Sequence, residues 1–369
     1  MIHARETLED LFTQRVIELD DAPLIWEQPD PPDRKLDFHD RVRGMMLGLA
    51  VGDALGRPTE GHKPARRAKL HGEVRDYVIK RHTLEAVGTP SDDTQMAFWT
   101  LEQLLEDGRF VPEHLAAKFV EREIFGMGQS VGKFRRQYKK LGQWTRCGAR
   151  SAGNGALMRI APMIIPWLFG HRDARAQLIL SAMMTHNDRS STAACAALGV
   201  MLERLIVMDA PPEPSWWLDT YVDVASQLEG GSTYSPRGAP FRASYNGSCW
   251  GYVRDAVEHA QHHNLQTVDA CNQTYSGAYL LETLPCVILL LTRYADDPEE
   301  AIIRAINDTK DNDTAGAIVG AAVGALHGAR ALPARWIDGL TGRTSHDDDG
   351  RVFDLLDELC AKWDARTLS

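Results

Sequence analysis

The sequence predicts an all-α protein: one large helical domain over residues 38–369, preceded by an N-terminal extension, residues 1–37. Apolar residues recur at helical spacing through most of the chain after residue 38. A strand pattern occurs in one short run, Val74–Lys80, and the alternation of strands and helices that a βαβ fold requires is absent. With 369 residues, 44% hydrophobic and 25% charged, the chain is long enough to bury one large core.

Composition and charge argue against several classes of protein. Lys and Arg number 41 against 51 Asp and Glu, a net charge of -10, and no segregated basic face is evident, so we expect no nucleic-acid partner. No 18-residue apolar run is uninterrupted and the N-terminus lacks the order of a signal peptide, so we expect no membrane association and a cytoplasmic location. The six cysteines are scattered without a CxxC pair, which favours buried, reduced thiols.

The N-terminal extension is strongly acidic, with ten Asp and Glu against four Lys and Arg in residues 1–37. Apolar spacing predicts a helix over Thr7–Leu19, and the four prolines that follow predict an extended strap over Ala22–Lys35. Two interpretations stay open for this segment. Composition favours a loose acidic tail, and the alternative is an arm that docks on a basic partner.

Helical patterns then follow one another to the C-terminus. We predict helices over Arg41–Gly56, Asp92–Glu106, Pro112–Phe125, Ala156–Leu168, Asp173–Thr185, Ser190–Met208, Ser248–His262, Tyr275–Tyr294, Pro298–Asn307, Thr314–Arg330 and Arg351–Trp363. The Gly-, Pro- and Ser-rich segment Gly230–Arg242 is long enough to be a functional loop rather than a linker.

Two of these helices carry a glycine at every fourth position. The glycines are Gly44, Gly48, Gly52 and Gly56 in the first helix and Gly316, Gly320, Gly324 and Gly328 in the second. A glycine inside a helix costs about 1 kcal/mol relative to alanine, unless it lets two backbones approach closely. We therefore expect the two glycine ridges to pack against each other in the core. The alternative, a membrane-type interface, is disfavoured because Asp53 interrupts the first ridge.

Acidic residues stand at the starts of two helices, in Ser91-Asp92-Asp93-Thr94 and in Asp311-Asn312-Asp313-Thr314. Either motif alone is typical of helix capping. If the two starts converge, their carboxylates and hydroxyls form a set of hard oxygen ligands, which favours Mg²⁺, Mn²⁺ or Ca²⁺ over zinc. A calcium EF-hand loop starting at Asp311 is excluded, because its fifth and twelfth positions are alanines.

Three further segments are candidates for a cleft. Pro58 ends the first glycine-rich helix and leaves Glu60 on a loop, where it could reach a metal-bound water or be a solvated surface acid. The small residues of Ser151–Arg159 could cradle a diphosphate or form a simple turn. His186 lies between two helices, where it could line the cleft or merely belong to the turn.

Other catalytic motifs find little support. His259, His262 and His263 have helical spacing that could bind a transition metal, but a polar helix face is the favoured interpretation. The sequence contains neither the nucleophile motif G-x-S-x-G nor the phosphate-binding motif GxxxxGK[ST].

Five segments together resemble the ADP-ribosylglycohydrolases. They are RGMMLGLAVGDALGRPTEG, SDDTQMA, GNGALMRIAP, THND and DNDTAGAIVGAAVGALHG, and they occur in the family's order over about residues 41–330. The resemblance implies a single large orthogonal helical domain of the ADP-ribosylglycohydrolase type. It also implies two divalent cations, Mg²⁺ or Mn²⁺, that hold the ribose of ADP-ribose while it is removed from a modified protein side chain.

The resemblance assigns roles to individual residues. The residues that match the family's metal ligands are Ser91, Asp92, Asp93, Asp311, Asp313 and Thr314, with Ser91 in place of the usual threonine. The residues that match the substrate-binding positions are Gly153, Asn154, Gly155, Ala156 and His186. Glu60 matches the loop glutamate near the metals, and either Glu60 or Asp93 would serve as the base or electrostatic partner for water that attacks an oxocarbenium-like state.

The resemblance favours a metal-dependent hydrolase that acts on ADP-ribosylated protein, with arginine as the modified residue. The acidic extension is also similar to the N-terminal arms of immunity proteins that block a secreted ADP-ribosyltransferase toxin and reverse its damage, and its charge suits a basic cleft. Two alternatives stay open: an inactive hydrolase fold that only binds the toxin, and a dinuclear-metal phosphohydrolase that acts on ADP-ribose or nucleotides.

Overall fold

The computed structural model describes residues 4–27, 29–31, 37–78 and 87–365, and their regular structure is helical. β-Structure in the described residues is limited to three isolated bridges, so the predicted all-α class is confirmed. Within these residues no helix combines the length and the apolar character needed to cross a bilayer. All six cysteines are buried and free, as expected.

The α-helices of the described residues are numbered α1 to α18 along the chain. They are α1 Ala4–Thr13, α2 Pro23–Trp26, α3 Phe38–Gly56, α4 Pro64–His71, α5 Asp92–Asp107, α6 Pro112–Glu121, α7 Gln129–Leu141, α8 Ile165–Leu168, α9 Ala174–Thr185, α10 Arg189–Leu205, α11 Ser215–Leu228, α12 Cys249–His262, α13 Thr267–Gln273, α14 Leu280–Tyr294, α15 Pro298–Asp308, α16 Asn312–His327, α17 Ala334–Asp338 and α18 Arg351–Ala365.

The core is organised around α3 and α16, whose glycine ridges pack against each other as predicted. A Cβ built on Gly48 would overlap the carbonyl of Gly320, and one built on Gly52 would overlap the carbonyl of Gly316. Gly44 meets Gly324 in the same way, so the helices are antiparallel. Such close backbone contact offsets the helix-propensity cost of the glycines.

Several sequence predictions differ from the observed elements. The predicted helix Ala156–Leu168 is broken into two 3-10 turns and the short helix α8, because Pro162 and Pro166 lack the N–H groups that a continuous helix needs. Val74–Val78 is not a strand, and residues 79 and 80 of that prediction lie outside the described residues. The helices α4, α7, α11, α13 and α17 were not predicted.

The described part of the N-terminal extension is packed on the helical body, so its interpretation as a loose tail is wrong. The predicted helix Thr7–Leu19 is observed as the earlier and shorter α1, and the predicted strap contains the helical turn α2. Six apolar side chains of the extension join the core: Leu8, Leu11, Ile17, Leu19, Ala22 and Ile25. Residues 28 and 32–36 of the predicted strap lie outside the described residues.

Polar contacts fix the residues that follow α1 beside α9 and α10. The Asn187 amide donates to the Val16 carbonyl at 2.8 Å and accepts from the Glu18 N–H at 2.9 Å. Glu18 pairs with Arg150, and Asp20 pairs with Arg189. Part of the extension's negative charge is therefore neutralised by arginines of the same chain.

The histidine cluster forms a polar face on α12. The His263 Nδ1 atom bonds to the His259 carbonyl at 3.0 Å, and the His259 ring packs on Phe241. The groups of side chains that could hold a metal among the described residues lie elsewhere.

Candidate functional site

The antiparallel pairing of α3 and α16 brings the end of one helix to the start of the other. A Cβ on Gly56 would lie 2.5 Å from the Cα of Asp313, and the Gly61 N–H donates to the Lys310 carbonyl at 3.0 Å. The buried guanidinium of Arg67 donates to the Thr59 hydroxyl and the Thr309 carbonyl, both at 2.8 Å. These contacts hold the turn that carries Glu60 against the start of α16.

Asp53, in the last turn of α3, holds the start of α5 beside the end of that helix. Its fully buried carboxylate accepts the Ser91 N–H at 2.9 Å, the Thr94 N–H at 3.1 Å and the Thr94 hydroxyl. Burial raises the pKa of Asp53, and these hydrogen bonds oppose the rise. Sequence reasoning missed this residue as part of the site, although a carboxylate inside a buried glycine ridge is a signal that it must find several donors.

The two acidic helix starts converge, as predicted. Carboxylate oxygens of Asp53, Asp93 and Asp313 lie within 4.8 Å of one another, and so do those of Glu60, Asp311 and Asp313. Asp313 belongs to both groups. Asp92 lines the same cavity as Asp311, Asp313 and Thr314.

Mutual repulsion and burial both disfavour the ionised form of these carboxylates. Burial raises the pKa of Asp92, Asp93 and Asp313 well above the usual carboxyl value, and neighbouring carboxylates raise all three further. Burial also raises the pKa of Asp311 to about 6, although a 2.6 Å hydrogen bond from the Asn154 amide acts in the opposite direction. A cation between them would relieve this repulsion and keep them ionised.

The donor set fits a hard divalent cation. The Oδ1 atom of Asp93 is buried without a hydrogen-bond partner among the described residues, whereas its Oδ2 atom accepts the Ser91 hydroxyl at 2.8 Å. A buried, unpartnered carboxylate oxygen beside further acidic oxygens matches the ligands that Mg²⁺ and Mn²⁺ take. Because both oxygens of Asp53 already accept hydrogen bonds, Asp53 is better placed to fix the turn than to bind an ion.

The opposite wall of the site is the Gly153–Asn154–Gly155 loop. The Asn154 amide donates to Asp311 and also to the Thr283 hydroxyl at 3.0 Å, which links the loop to the acidic wall. His186 packs on the two glycines, since a Cβ on Gly155 would lie 3.0 Å from its Cε1 atom. Burial, with help from the Arg159 guanidinium, lowers the pKa of His186 to about 3, so the imidazole is neutral at physiological pH.

These walls enclose a cavity of about 360 Å³, within the size range of small-molecule sites. Of the predicted site residues, the cavity is lined by Glu60, Asp92, Asp93, Gly153, Asn154, Gly155, His186, Asp311, Asp313 and Thr314. Ser91 and Ala156 are buried and are not among the lining residues. Ser91 caps α5 by accepting the Asp93 N–H, and Ala156 precedes a 3-10 turn instead of the predicted helix.

Two parts of the lining were not predicted. Arg237 comes from the Gly230–Arg242 loop, and its guanidinium lies 3.8 Å from the centre of the Tyr279 ring. The segment from Gly126 to Val131, which ends in the first turn of α7, forms another part of the rim. The length of the Gly230–Arg242 loop had indicated a functional loop, which contains Arg237. No sequence pattern pointed to the segment from Gly126 to Val131.

Comparison with known proteins places the whole helical body in one family. The sequence model of ADP-ribosylglycohydrolases matches residues 34–367. The chain is 26% identical to the ADP-ribosyl-[dinitrogen reductase] glycohydrolase of Rhodospirillum rubrum, over 86% of this chain and 96% of that protein. It is also 26% identical to the ADP-ribosylarginine hydrolase Tri1 of Serratia proteamaculans, over 87% of this chain and 79% of that protein.

A solved structure supports the same grouping. The structure, titled as an ADP-ribosylglycohydrolase-related protein complex, superposes with a TM-score of 0.64 at 26% sequence identity. The alignment covers 89% of this chain and 99% of that chain.

Proposed function

The chain belongs to the ADP-ribosylglycohydrolase family, and on that premise we propose that it hydrolyses the bond between ADP-ribose and a modified arginine side chain of a protein. The observation that carries the proposal is the convergence of Asp93 with Asp313, and of Glu60 with Asp311, beside one cavity. The name of the Serratia relative, an ADP-ribosylarginine hydrolase, supports arginine as the linkage.

We propose that two divalent cations, Mg²⁺ or Mn²⁺, bind at this convergence. Asp92, Asp93, Asp311, Asp313 and Thr314 would hold them. Asp313 belongs to both groups of close carboxylate oxygens, with Asp93 in one and Asp311 in the other, and this supports two positions. When bound, such cations would orient the ribose hydroxyls and increase the acidity of nearby water. Ser91 would act through Asp93, whose carboxylate it holds by a hydrogen bond.

A side chain of this protein would take part in the proton transfers that accompany bond cleavage. Cleavage breaks the bond between the anomeric carbon and the guanidine nitrogen through an oxocarbenium-like state, and a water oxygen bonds to that carbon. We assign the base to Glu60, because Asp93 would hold the cations, whereas Glu60 lines the cavity and has a carboxylate oxygen within 4.8 Å of those of Asp311 and Asp313. The water proton goes to Glu60, and the departing nitrogen keeps the bonding electrons and takes up a proton from solvent, which releases ADP-ribose and unmodified arginine.

The opposite wall would position the nucleotide. The glycines of the Gly153–Gly155 loop allow close approach of a ligand to the backbone, and Arg237 supplies a positive charge to the diphosphate. The neutral imidazole of His186 would hydrogen-bond the substrate without adding charge to the site.

Product analysis tests the proposed reaction. The purified chain with Mg²⁺ or Mn²⁺ should release free ADP-ribose from an arginine-modified protein, and the variant Asp93→Asn with Asp313→Asn should not. A serine-modified protein serves as the linkage control. Release of AMP or inorganic phosphate instead would identify a phosphohydrolase, and no release from any substrate would leave only a binding function.

We propose an immunity role as a second function, in which the acidic extension binds the basic cleft of an ADP-ribosyltransferase toxin. The excess of acidic residues in residues 1–37 supports it, and Asp10 and Glu27 are exposed. Deleting the whole extension is a poor test of toxin binding, because it would also remove core side chains such as Leu8 and Leu11. A more specific test is the double variant Asp10→Asn with Glu27→Gln. It should weaken toxin binding while hydrolase activity stays intact, and unchanged binding would refute this role.

A further inference from the structure

Helix α7 and the loop after it form a basic segment in an acidic protein. Residues 129–150 contain seven Lys and Arg and no Asp or Glu, although the whole chain has a net charge of -10. The net charge of the whole chain gave no indication of this basic segment. Because the segment contains basic residues and no acidic ones, the expectation that basic residues are not segregated is wrong at this helix.

The basic side chains divide into two groups by their contacts. Arg135 donates to backbone carbonyls of Val120 and Arg122, and Arg150 pairs with Glu18, so these two have structural roles. The other five are exposed and form no ion pair with any described residue: Lys133, Arg136, Lys139, Lys140 and Arg146. Charges that no carboxylate among the described residues neutralises are available to a partner.

The spacing along α7 concentrates these charges on one face. Lys133, Arg136 and Lys140 follow each other at three and four residues, so they lie on one side of the helix. Val131 and Phe134 are buried on the other side. Large apolar side chains stand at both ends of the helix, since Met127 is 42% exposed and Leu141 is 50% exposed. We call the exposed residues of this side, with Met127 and Leu141, the α7 face.

The α7 face begins at the mouth of the candidate site. Gln129 and Ser130, which are not buried, stand in the first turn of α7 and line the cavity. The 13 residues of α7 extend about 20 Å at 1.5 Å per residue, and those after Val131 are not among the residues that line the cavity. The charges therefore lie on the part of the helix that leads away from the cavity. A macromolecule with one side chain in the cavity would therefore contact the α7 face.

We propose that the α7 face docks an acidic protein surface that flanks the modified side chain of the substrate. The inference rests on the proposed function, because that reaction places a protein at the mouth of the cavity. Exposed methionine and leucine beside the charges suit a protein surface better than a phosphate backbone. The carboxylates of the adjacent site would also repel a nucleic acid strand that entered the cavity.

Two peptides and one small substrate test the proposal. Each peptide carries a single ADP-ribosyl-arginine, flanked by Asp and Glu in one and by Lys in the other, and free ADP-ribosyl-arginine has no flanking residues. We expect KM to be about 10-fold lower for the acidic peptide at low ionic strength, and this advantage should shrink as salt is added. Arg136→Glu with Lys140→Glu should remove the advantage and leave the kinetics of free ADP-ribosyl-arginine unchanged.

A matched control changes charge by the same amount elsewhere. Arg204 is exposed near the end of α10, and Lys69 is exposed on α4. Arg204→Glu with Lys69→Glu should preserve the preference for the acidic peptide. Equal KM values for the two peptides with the wild-type protein, or the same loss in both double variants, would overturn the proposal.

The remaining outcomes separate this proposal from the proposed function. If the wild-type protein fails to cleave free ADP-ribosyl-arginine, the hydrolase proposal fails, and anisotropy titration with the unmodified acidic peptide still tests the α7 face. Submicromolar binding of a DNA or RNA duplex at physiological salt, lost in Arg136→Glu with Lys140→Glu, would assign the face to nucleic acid instead. Self-association that the same variant abolishes would assign it to a second copy of this chain.

Discussion

Replacing Gly48 with alanine tests whether the close approach of α3 and α16 holds the site together. A Cβ at Gly48 would overlap the carbonyl of Gly320 and would lie 2.7 Å from its carbonyl carbon. These are backbone atoms, which cannot rotate away as a side chain would, so the two helices must separate. Overpacking of this kind costs up to about 3 kcal/mol, and the gain in helix propensity returns about 1 kcal/mol. The expected net loss of stability is about 2 kcal/mol.

The assay is chemical and thermal unfolding of Gly48→Ala beside a matched control. For a chain of this length, a loss of about 2 kcal/mol lowers Tm by roughly 2–3 °C. Gly132 in α7 is the control, because a Cβ there would meet the nearest atoms, in Arg136 and Met127, at an ordinary 3.5 Å. Gly132→Ala should therefore be neutral or stabilising by up to about 1 kcal/mol.

The same variant should also weaken metal binding, because the ridge sets the separation of the Glu60 turn from Asp313. Titration calorimetry with Mn²⁺ measures this loss. If Gly48→Ala unfolds at the same denaturant concentration as Gly132→Ala and binds Mn²⁺ like the wild type, the argument from close packing is refuted.

Three further predictions concern the chemistry of the site. Glu60→Gln should lower kcat about 100-fold or more while leaving the fold intact, as measured by product release and circular dichroism; activity within a few-fold of wild type would exclude Glu60 as the base. Arg237→Ala should raise KM for the modified protein about 10-fold with little change in kcat, whereas Arg237→Lys should recover part of the loss; an unchanged KM would remove Arg237 from diphosphate binding. The pKa of Asp311 is raised to about 6, above its value in the unfolded chain, so Asp311 binds more protons in the metal-free fold than in the unfolded chain, and its contribution to stability falls as pH rises from about 4 to about 6. Thermal melts should therefore show that Mg²⁺ raises Tm more at pH 7 than at pH 5, and an equal rise at both pH values would contradict the acidic cluster as the binding site.

Local sequence rules located much of the fold before any long-range contact was known. Ser91 followed by two aspartates predicted the start of α5, and the side chain of Ser91 does cap that helix. The glycine repeats predicted that α3 and α16 pack closely, and they do. Local rules failed at Ala156–Leu168, where a helical apolar pattern competes with two prolines and the prolines prevail.

Long-range contacts decided what local rules could not. The extension was interpreted from its charge, but its buried leucines and the hydrogen bonds of Asn187 attach it to the body. Asp53 was seen only as an interruption of a glycine ridge, although it receives the start of α5. The length of the Gly230–Arg242 loop indicated a functional loop, but only the fold shows that Arg237 and the first turn of α7 line the cavity.

The sequence by itself determined which residues could carry the chemistry: carboxylates at two helix starts, a glutamate after a proline and a glycine-rich loop, each specified by short-range spacing. Only the tertiary structure decided that they meet. A ridge of glycines has the same spacing read in either direction, so it predicts that two helices touch without predicting their relative orientation. The antiparallel orientation places Glu60 beside Asp311 and Asp313, and a parallel pair of the same helices would have placed them at opposite ends.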